Sequence, residues 1–227
     1  MDNFGRTPLH WAVSSLDTET VRVLLEHGAS ITATCKENSN AIHYASLLGS
    51  TATLQMMFGA RNVPEVNAKN SVATPLFLSC SHGHSESSLF LIDRGADVNF
   101  IGPGGNTILH RAIYGKCSLQ VIETLVKKGL SVNTANDAGE TPLHYACISG
   151  DTTEILSFLI KNGSNVNAKT SSGNTGLHLA ANFGSASNIK ILLENGASKS
   201  QQNSAGQLPL NLAEAKSFPD CISALSL

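Results

Sequence analysis

Eight histidines and five cysteines are the side chains of this 227-residue sequence best suited to chemistry, and their spacing decides which chemistry is open to them. His10, His43, His110, His144 and His178 fall one to a unit in a chain whose motifs recur every 33 or 34 residues. A zinc site needs ligands converging to about 2 Å of one ion. Histidines so far apart do not converge. The nearest approach to a cluster is Cys80-Ser81-His82-Gly83-His84. No second cysteine or carboxylate pair joins it, so no metal or cofactor is expected.

The cysteines are Cys35, Cys80, Cys117, Cys147 and Cys221, an odd number without a metal-like spacing, which favours a reducing intracellular setting. Cys80 and Cys147 share one position two units apart. Helix layers spaced by roughly 10 Å put roughly 20 Å between them, against the about 7 Å a disulfide tolerates. Cys117 reads as an ordinary loop thiol, and Lys116 beside it is the only reason to consider a lowered pKa. A nucleophilic Cys–His pair needs both groups in hydrogen-bond reach and a third to orient them, and no such trio is visible. Gly102-Pro103-Gly104-Gly105 precedes a helix but lacks the strand and the GxGxxG spacing of a dinucleotide loop. No catalytic residue, small-molecule substrate or enzyme activity is expected.

Hydrophobic residues make up 41% of the chain but aromatic ones only 5%, so small apolar residues and leucines must fill the interior. That composition suits thin repeated layers. A formal charge of −2, with no basic run beyond Lys127-Lys128, lacks the footprint of a nucleic-acid or anionic-membrane binder. No apolar run approaches a membrane span, and Met1-Asp2-Asn3 opens no signal peptide. An intracellular location follows, cytoplasm favoured over nucleus. Asn162-Gly163-Ser164 is then helix-ending turn chemistry rather than a glycosylation site.

The elements behind these residues are clearest from Gly139 to Lys169. Thr141 caps a short helix with Pro142 at its first position. Gly150 ends it, and Asp151 to Glu154 has the pattern of a second helix start. Ile155, Phe158 and Leu159 form one apolar face, and Gly163 stops the second helix before Val166-Asn167. The same order recurs from Thr7, Asn40, Thr74, Thr107, Thr141, Thr175 and Leu208, at steps of 33, 34, 33, 34, 34 and 33 residues.

Thr7-Pro8-Leu9-His10 and Thr141-Pro142-Leu143-His144, with the worn copies between and after them, resemble the T-P-L-H-x-A signature of the ankyrin repeat family. The resemblance covers essentially the whole chain. Glycines two before the cap (Gly5, Gly105, Gly139, Gly173, Gly206) and alanines two after the histidine (Ala12, Ala45, Ala112, Ala146, Ala180, Ala213) stand in place. It implies an all-α solenoid, each repeat a β-turn plus an antiparallel helix pair, in one domain over 1–227. The repeats are read as approximately 2–34, 35–68, 69–101, 102–135, 136–169, 170–202 and 203–227. It also implies that the repeated histidine bonds turn backbone between neighbouring repeats.

Stacking accounts for the pattern physically, because each pair has an apolar face, such as Val21, Leu24 and Leu25, that only a neighbour can bury. Repeat one has no polar capping unit before it, so more chain is expected upstream, with Trp11 packing against it. The last unit reads as a cap: Ile222 and Leu225 supply core contacts, and Gln201, Gln202, Ser204 and Gln207 a polar outer side. Repeat two has Asn38 in the glycine position and about two extra residues around Arg61–Glu65, where Pro64 predicts a bulged loop. In repeat three Val72 replaces the turn glycine and Phe77 the histidine, interrupting the polar ladder.

Partners of this family usually meet the concave side, made of turn tips and late first-helix positions. Those helix positions include Leu47, Leu48, His82, Tyr114, Ile148, Asn182 and Phe183, and the tips include Phe4, Arg6, Asp137 and Glu140. Leu47, Leu48, Tyr114, Ile148 and Phe183 form a broken apolar stripe where the family pattern faces solvent; partial burial between first helices is the alternative. The function implied is a non-enzymatic scaffold that binds a protein or peptide on this face. The second reading is a targeting or regulatory region of a larger enzyme or channel. The polar, Ser- and Asn-rich surface also suits a microbial effector in a host cytosol.

Overall fold

The computed structural model describes residues 1–60, 65–150 and 152–226. Arg61–Pro64, where the bulged loop is expected, and Asp151, the expected cap of a second helix, lie outside the described residues. The described α-helices form seven successive pairs. These are α1 (Pro8–Ser14) with α2 (Thr18–Glu26), α3 (Ala41–Leu48) with α4 (Thr51–Gly59), α5 (Pro75–Ser81) with α6 (Ser85–Asp93), and α7 (Ile108–Tyr114) with α8 (Leu119–Lys127). Then follow α9 (Pro142–Ile148) with α10 (Thr153–Lys161), α11 (Gly176–Asn182) with α12 (Ala186–Glu194), and α13 (Pro209–Ala215) with α14 (Pro219–Ser226).

Each first helix starts at a residue of extended backbone: Thr7, Asn40, Thr74, Thr107, Thr141, Thr175 and Leu208. Proline at the first position of α1, α5, α9 and α13 costs no hydrogen bond, since that N–H would be unpaired anyway. Nine residues past the cap the chain reverses through a left-handed residue, with φ between 56° and 90° in every unit. Glycine fills that slot in four units; Leu16, Lys116 and Ser217 occupy it in the other three and bear the steric cost of about 1 kcal/mol.

First helices contact first helices and second helices contact second helices along the chain, giving two layers. Ala45, Ala112, Ala146, Ala180 and Ala213 are fully buried on the first helices, where a methyl group lets neighbours come close. First helices pack on one another more extensively along the array than second helices do. Leu54, Leu91, Ile122, Leu125, Leu156 and Leu192 fill the core between the layers.

The turns correct the reading of repeat three. Five-residue turns close by a bond from the first N–H to the fifth carbonyl, as from Asn136 to Glu140 at 2.9 Å and from Thr170 to Asn174 at 2.9 Å. In repeat three the bond runs from Asn70 to Ala73 at 3.1 Å, so the turn is one residue shorter. Val72 therefore does not replace the glycine; the glycine's slot is absent. The Asn70 carboxamide oxygen accepts from the N–H groups of Val72 and Ala73 instead. Asn38 does take the glycine's left-handed conformation in repeat two, with φ of 57°.

The C-terminal unit also differs in detail from expectation. Leu225 is buried and Ile222 half-buried. Gln201, Gln202, Ser204 and Gln207 belong to the final repeat's inter-repeat turn rather than to its outer side, and the Gln207 carbonyl accepts from His178. The exposed polar residues of α13 are Asn211 and Glu214, with Lys216 just after them. At the other end Trp11 is half exposed, its ring covered by the Arg6 guanidinium 4.0 Å from the centroid.

Candidate partner-binding surface

The scaffold beneath the surface is built by the repeated Thr and His. In repeat five the Thr141 hydroxyl and backbone N–H both donate to His144 Nδ1, at 2.9 and 3.0 Å. The proton then sits on Nε2, which donates to the Ala168 carbonyl at 3.1 Å. His10, His110 and His178 repeat the arrangement onto the carbonyls of Ser39, Glu140 and Gln207, each at 3.0 Å. Histidine thus replaces the glutamate of a capping box and ties one unit's helix start to the next unit's turn. His43 Nε2 is buried and closes no hydrogen bond, although the Ala68 and Ala73 carbonyls lie near it. Desolvation holds all five imidazoles below their ordinary pKa, His43 as far as about 4. They are neutral structural groups.

Above this scaffold the late first-helix positions face out. Leu47 and Leu48 are each 37% exposed, Tyr114 54% and Phe183 56%. Ile148 and Asn182 are half-buried. His82 is exposed, with Nδ1 bonded to the Leu78 carbonyl at 2.9 Å and its ring stacked on His84 at 6.2 Å between centroids. Of the tips, Phe4 and Asp137 are exposed. Arg6 is half-buried, paired with Asp2 at 2.8 Å and lying over both Phe4 and Trp11.

Glu140 is more embedded than its tip position implies. The Asn136 side-chain amide donates to its carboxylate at 3.0 Å, and the same amide reaches Asn106 at 3.1 Å. The Tyr145 hydroxyl donates to Asn106 at 2.8 Å, closing a polar network between the fourth and fifth repeats. Burial raises the Tyr145 phenol above its ordinary pKa.

Of the residues directly after the histidine position, sequence reasoning considered Trp11 alone. There stand Trp11, Tyr44, Arg111 and Tyr145, one helical turn from the late positions and therefore on a neighbouring part of the same side. Arg111 is half-buried with its guanidinium 5.6 Å from the Phe77 ring centre and 5.7 Å from that of Tyr114. Tyr114 meets Tyr145 edge to face at 6.2 Å. The signal was present: three aromatic residues and one arginine at one position of a chain poor in aromatics.

The cysteines correct two expectations. Cys117 is buried, not an open loop thiol. Its neighbour is Cys80, whose side chain holds the Cys117 thiol below its ordinary pKa, so Lys116 is not the cause. Among the described residues no three His, Cys, Asp or Glu side chains group as a metal site would require. No described helix is long and apolar enough to cross a membrane.

Comparison with known proteins places these features. A family model described as ankyrin repeats (3 copies) matches residues 1–70, 60–136, 132–203 and 151–226. Protein PhlB of Serratia liquefaciens is 32% identical over 108 residues, 47% of this chain and 47% of that protein. The human transient receptor potential cation channel subfamily A member 1 is 30% identical over 118 residues, 50% of this chain and 10% of the channel. The matches thus span half or less of these curated relatives. The crystal structure of the human ASB11 ankyrin repeat domain superposes with a TM-score of 0.83 over 97% of both chains, at 24% identity, a likeness of fold.

Proposed function

The chain belongs to the ankyrin repeat family, and from that premise we propose that its seven repeats act as one protein-interaction domain whose first-helix side binds a protein or peptide segment. The observation that carries the proposal is the row of Leu47, Leu48, Tyr114 and Phe183. These are large apolar side chains left in water on the first-helix side of the array. Apolar surface at the centre of an interface supplies most of its affinity, and tyrosine and arginine are the enriched anchors. Tyr114 with Arg111 is the central pair; Phe4, Arg6, His82, Asp137, Ile148, Asn182 and Phe183 lie around it, and Glu140 contributes its edge. No nucleic acid, small molecule or membrane insertion belongs to this reading, and it assigns the chain no catalysis.

The test is a random peptide library selected on the purified chain, followed by titration of the selected peptides. Leu48→Ala with Tyr114→Ala should weaken them at least tenfold without changing the melting temperature. Peptides that bind the double mutant unchanged, or protect the second helices from hydrogen exchange instead, would sink the assignment.

A second reading draws on the channel relative, in which the matched repeats are 10% of the length. There the same domain would be the regulatory or targeting part of a larger enzyme or channel. The size of the natural polypeptide on an immunoblot separates the two. A cytoplasmic site of action fits either reading.

A further inference from the structure

The contact between Cys80 and Cys117 has no part in the binding surface. Cys80 lies on α5 and Cys117 between α7 and α8, so the pair spans the junction of the third and fourth repeats. Both thiols are buried. The Cys117 thiol donates to the Cys80 carbonyl at 3.5 Å and the Cys80 thiol donates to Ser88 Oγ at 3.5 Å, so the two cysteines adjoin across the junction. Hydroxyls line the site: Ser88 Oγ is 2.6 Å from Ser79 Oγ, and Ser85 Oγ accepts the Ser118 N–H at 2.8 Å. A polar lining tolerates a thiolate. Cys147, buried without such neighbours, has its thiol pushed up by desolvation alone.

We propose that Cys80 and Cys117 are a peroxide-responsive pair that closes to a disulfide between the third and fourth repeats. Cys117 is the attacking sulfur. Its thiolate displaces hydroxide from hydrogen peroxide as the O–O bond breaks, the hydroxide leaves with the thiol proton as water, and Cys117 becomes a sulfenic acid. The Cys80 sulfur then attacks the Cys117 sulfur and the S–O bond breaks. Hydroxide leaves with the Cys80 proton as a second water. Two thiols have given two electrons to one peroxide. The order of attack follows the environment, since the Cys80 side chain and the hydroxyls of Ser85 and Ser88 favour the charged form of Cys117 while Cys80 is held as thiol. Access is through local opening. This junction lacks two of the hydrogen bonds found at its neighbours, because Pro103 has no backbone N–H and Phe77 has no ring N–H where other repeats have a histidine.

The native chain, reduced and freed of reductant, is treated with hydrogen peroxide and its mass measured. A loss of about 2 Da, with a digest linking the Cys80 and Cys117 peptides, is expected, together with a higher melting temperature than the reduced chain. In Cys80→Ser, Cys117 should stop at a sulfenic acid that dimedone captures; in Cys117→Ser, Cys80 should stay unreactive. Circular dichroism checks that both variants fold, and the wild-type digest decides the matter without them. The proposal is overturned if the native chain gains oxygen without a link, or links other cysteines. It is equally overturned if the native chain stays unreacted under peroxide that oxidises the guanidinium-unfolded chain.

Discussion

The junction of the third and fourth repeats and those on its C-terminal side are assembled from the same helices yet held by different forces. Between the fourth, fifth and sixth repeats three ladders run. The Asp137 and Ser171 N–H groups donate to the tips before them at 3.0 and 2.9 Å. His110 and His144 donate to carbonyls of the next repeat. Asn133 and Asn167 clasp the next repeat at Gly163 with Asn165, and at Gly196 with Ser198. Between the third and fourth repeats all three are missing among the described residues. Pro103 has no N–H, Phe77 stands for the histidine, and Asn99 makes no such clasp. Shape carries more of the fit there, beside the hydrogen bonds from the Ser118 N–H to Ser85 Oγ and from the Cys117 thiol to the Cys80 carbonyl. A Cβ on Gly102 would lie 2.3 Å from the Phe77 ring, and one on Gly115 would lie 2.2 Å from the Cys80 carbonyl oxygen. Each ladder bond contributes about 0.5–1.5 kcal/mol and fixes a direction; apolar contact has no directional preference. One array thus joins its units in two ways, by repeated directional bonds on the C-terminal side and mainly by steric fit at this junction.

Acid should erase most of this contrast, because it attacks only the laddered junctions. The five histidines have folded pKa values below the ordinary 6.5 because burial disfavours their charge. Their stabilisation is therefore fully present above pH 6.5 and is lost as pH falls through the folded values, to about 4 for His43. Each unit of depression is worth ~1.4 kcal/mol, so several kcal/mol should vanish between pH 6.5 and 4. Denaturant melts across that range measure the total. Hydrogen exchange locates it: α7, α9 and α11 should lose protection with acid before α5, which carries Phe77. Equal acid sensitivity of all first helices would break the comparison.

A steric test acts on the other side of it. Gly102→Ala places a methyl group against the Phe77 ring, itself wedged against Phe100 at 5.4 Å. Overpacking of this kind costs about 1–3 kcal/mol, and Phe77→Leu in the same chain should recover part of it. Gly28→Ala meets nothing within 4 Å, so its cost reflects only its left-handed φ of 79°. A Gly102→Ala chain as stable as wild type would mean that the ring yields and the junction is looser than its geometry.

The repeats were legible in the sequence because their grammar is local. Thr141, Pro142 and Gly150 act on backbone within a few residues, and the same letters recur at constant spacing. The broken ladder was half legible: Phe77 was seen to lack the histidine's ring nitrogens. The missing N–H of Pro103 and the missing residue in repeat three were not, because their meaning depends on which atom of the preceding repeat they face. The binding surface divides the same way. Tyr114 and Phe183 are exposed as the spacing implies. Arg111 is not legible because its role comes from Phe77, a repeat away in sequence, and the tie on Glu140 is hidden because Asn136 binds it only after the turn has formed. Cys80 was weighed against Cys147, its counterpart in the pattern, when its neighbour in space is Cys117.

The smallest effect should be the most diagnostic. Pro103→Ser restores an N–H to the one tip position that lacks it; by the register in which the Asp137 N–H donates to the Gly104 carbonyl, its acceptor would be the Val72 carbonyl. A net hydrogen bond adds about 0.5–1.5 kcal/mol, and loss of the proline's restraint on the unfolded chain removes about 0.4–1 kcal/mol. The two nearly cancel, so the melting temperature should rise by little or nothing. Amide exchange separates them. If the ladder is broken only for want of a donor, the residue 103 amide of the variant should exchange as slowly as those of Asp137 and Ser171. If it exchanges at the rate of an open turn, the shortened turn of repeat three has moved the Val72 carbonyl out of line. The junction would then be set by that missing residue and not by the proline.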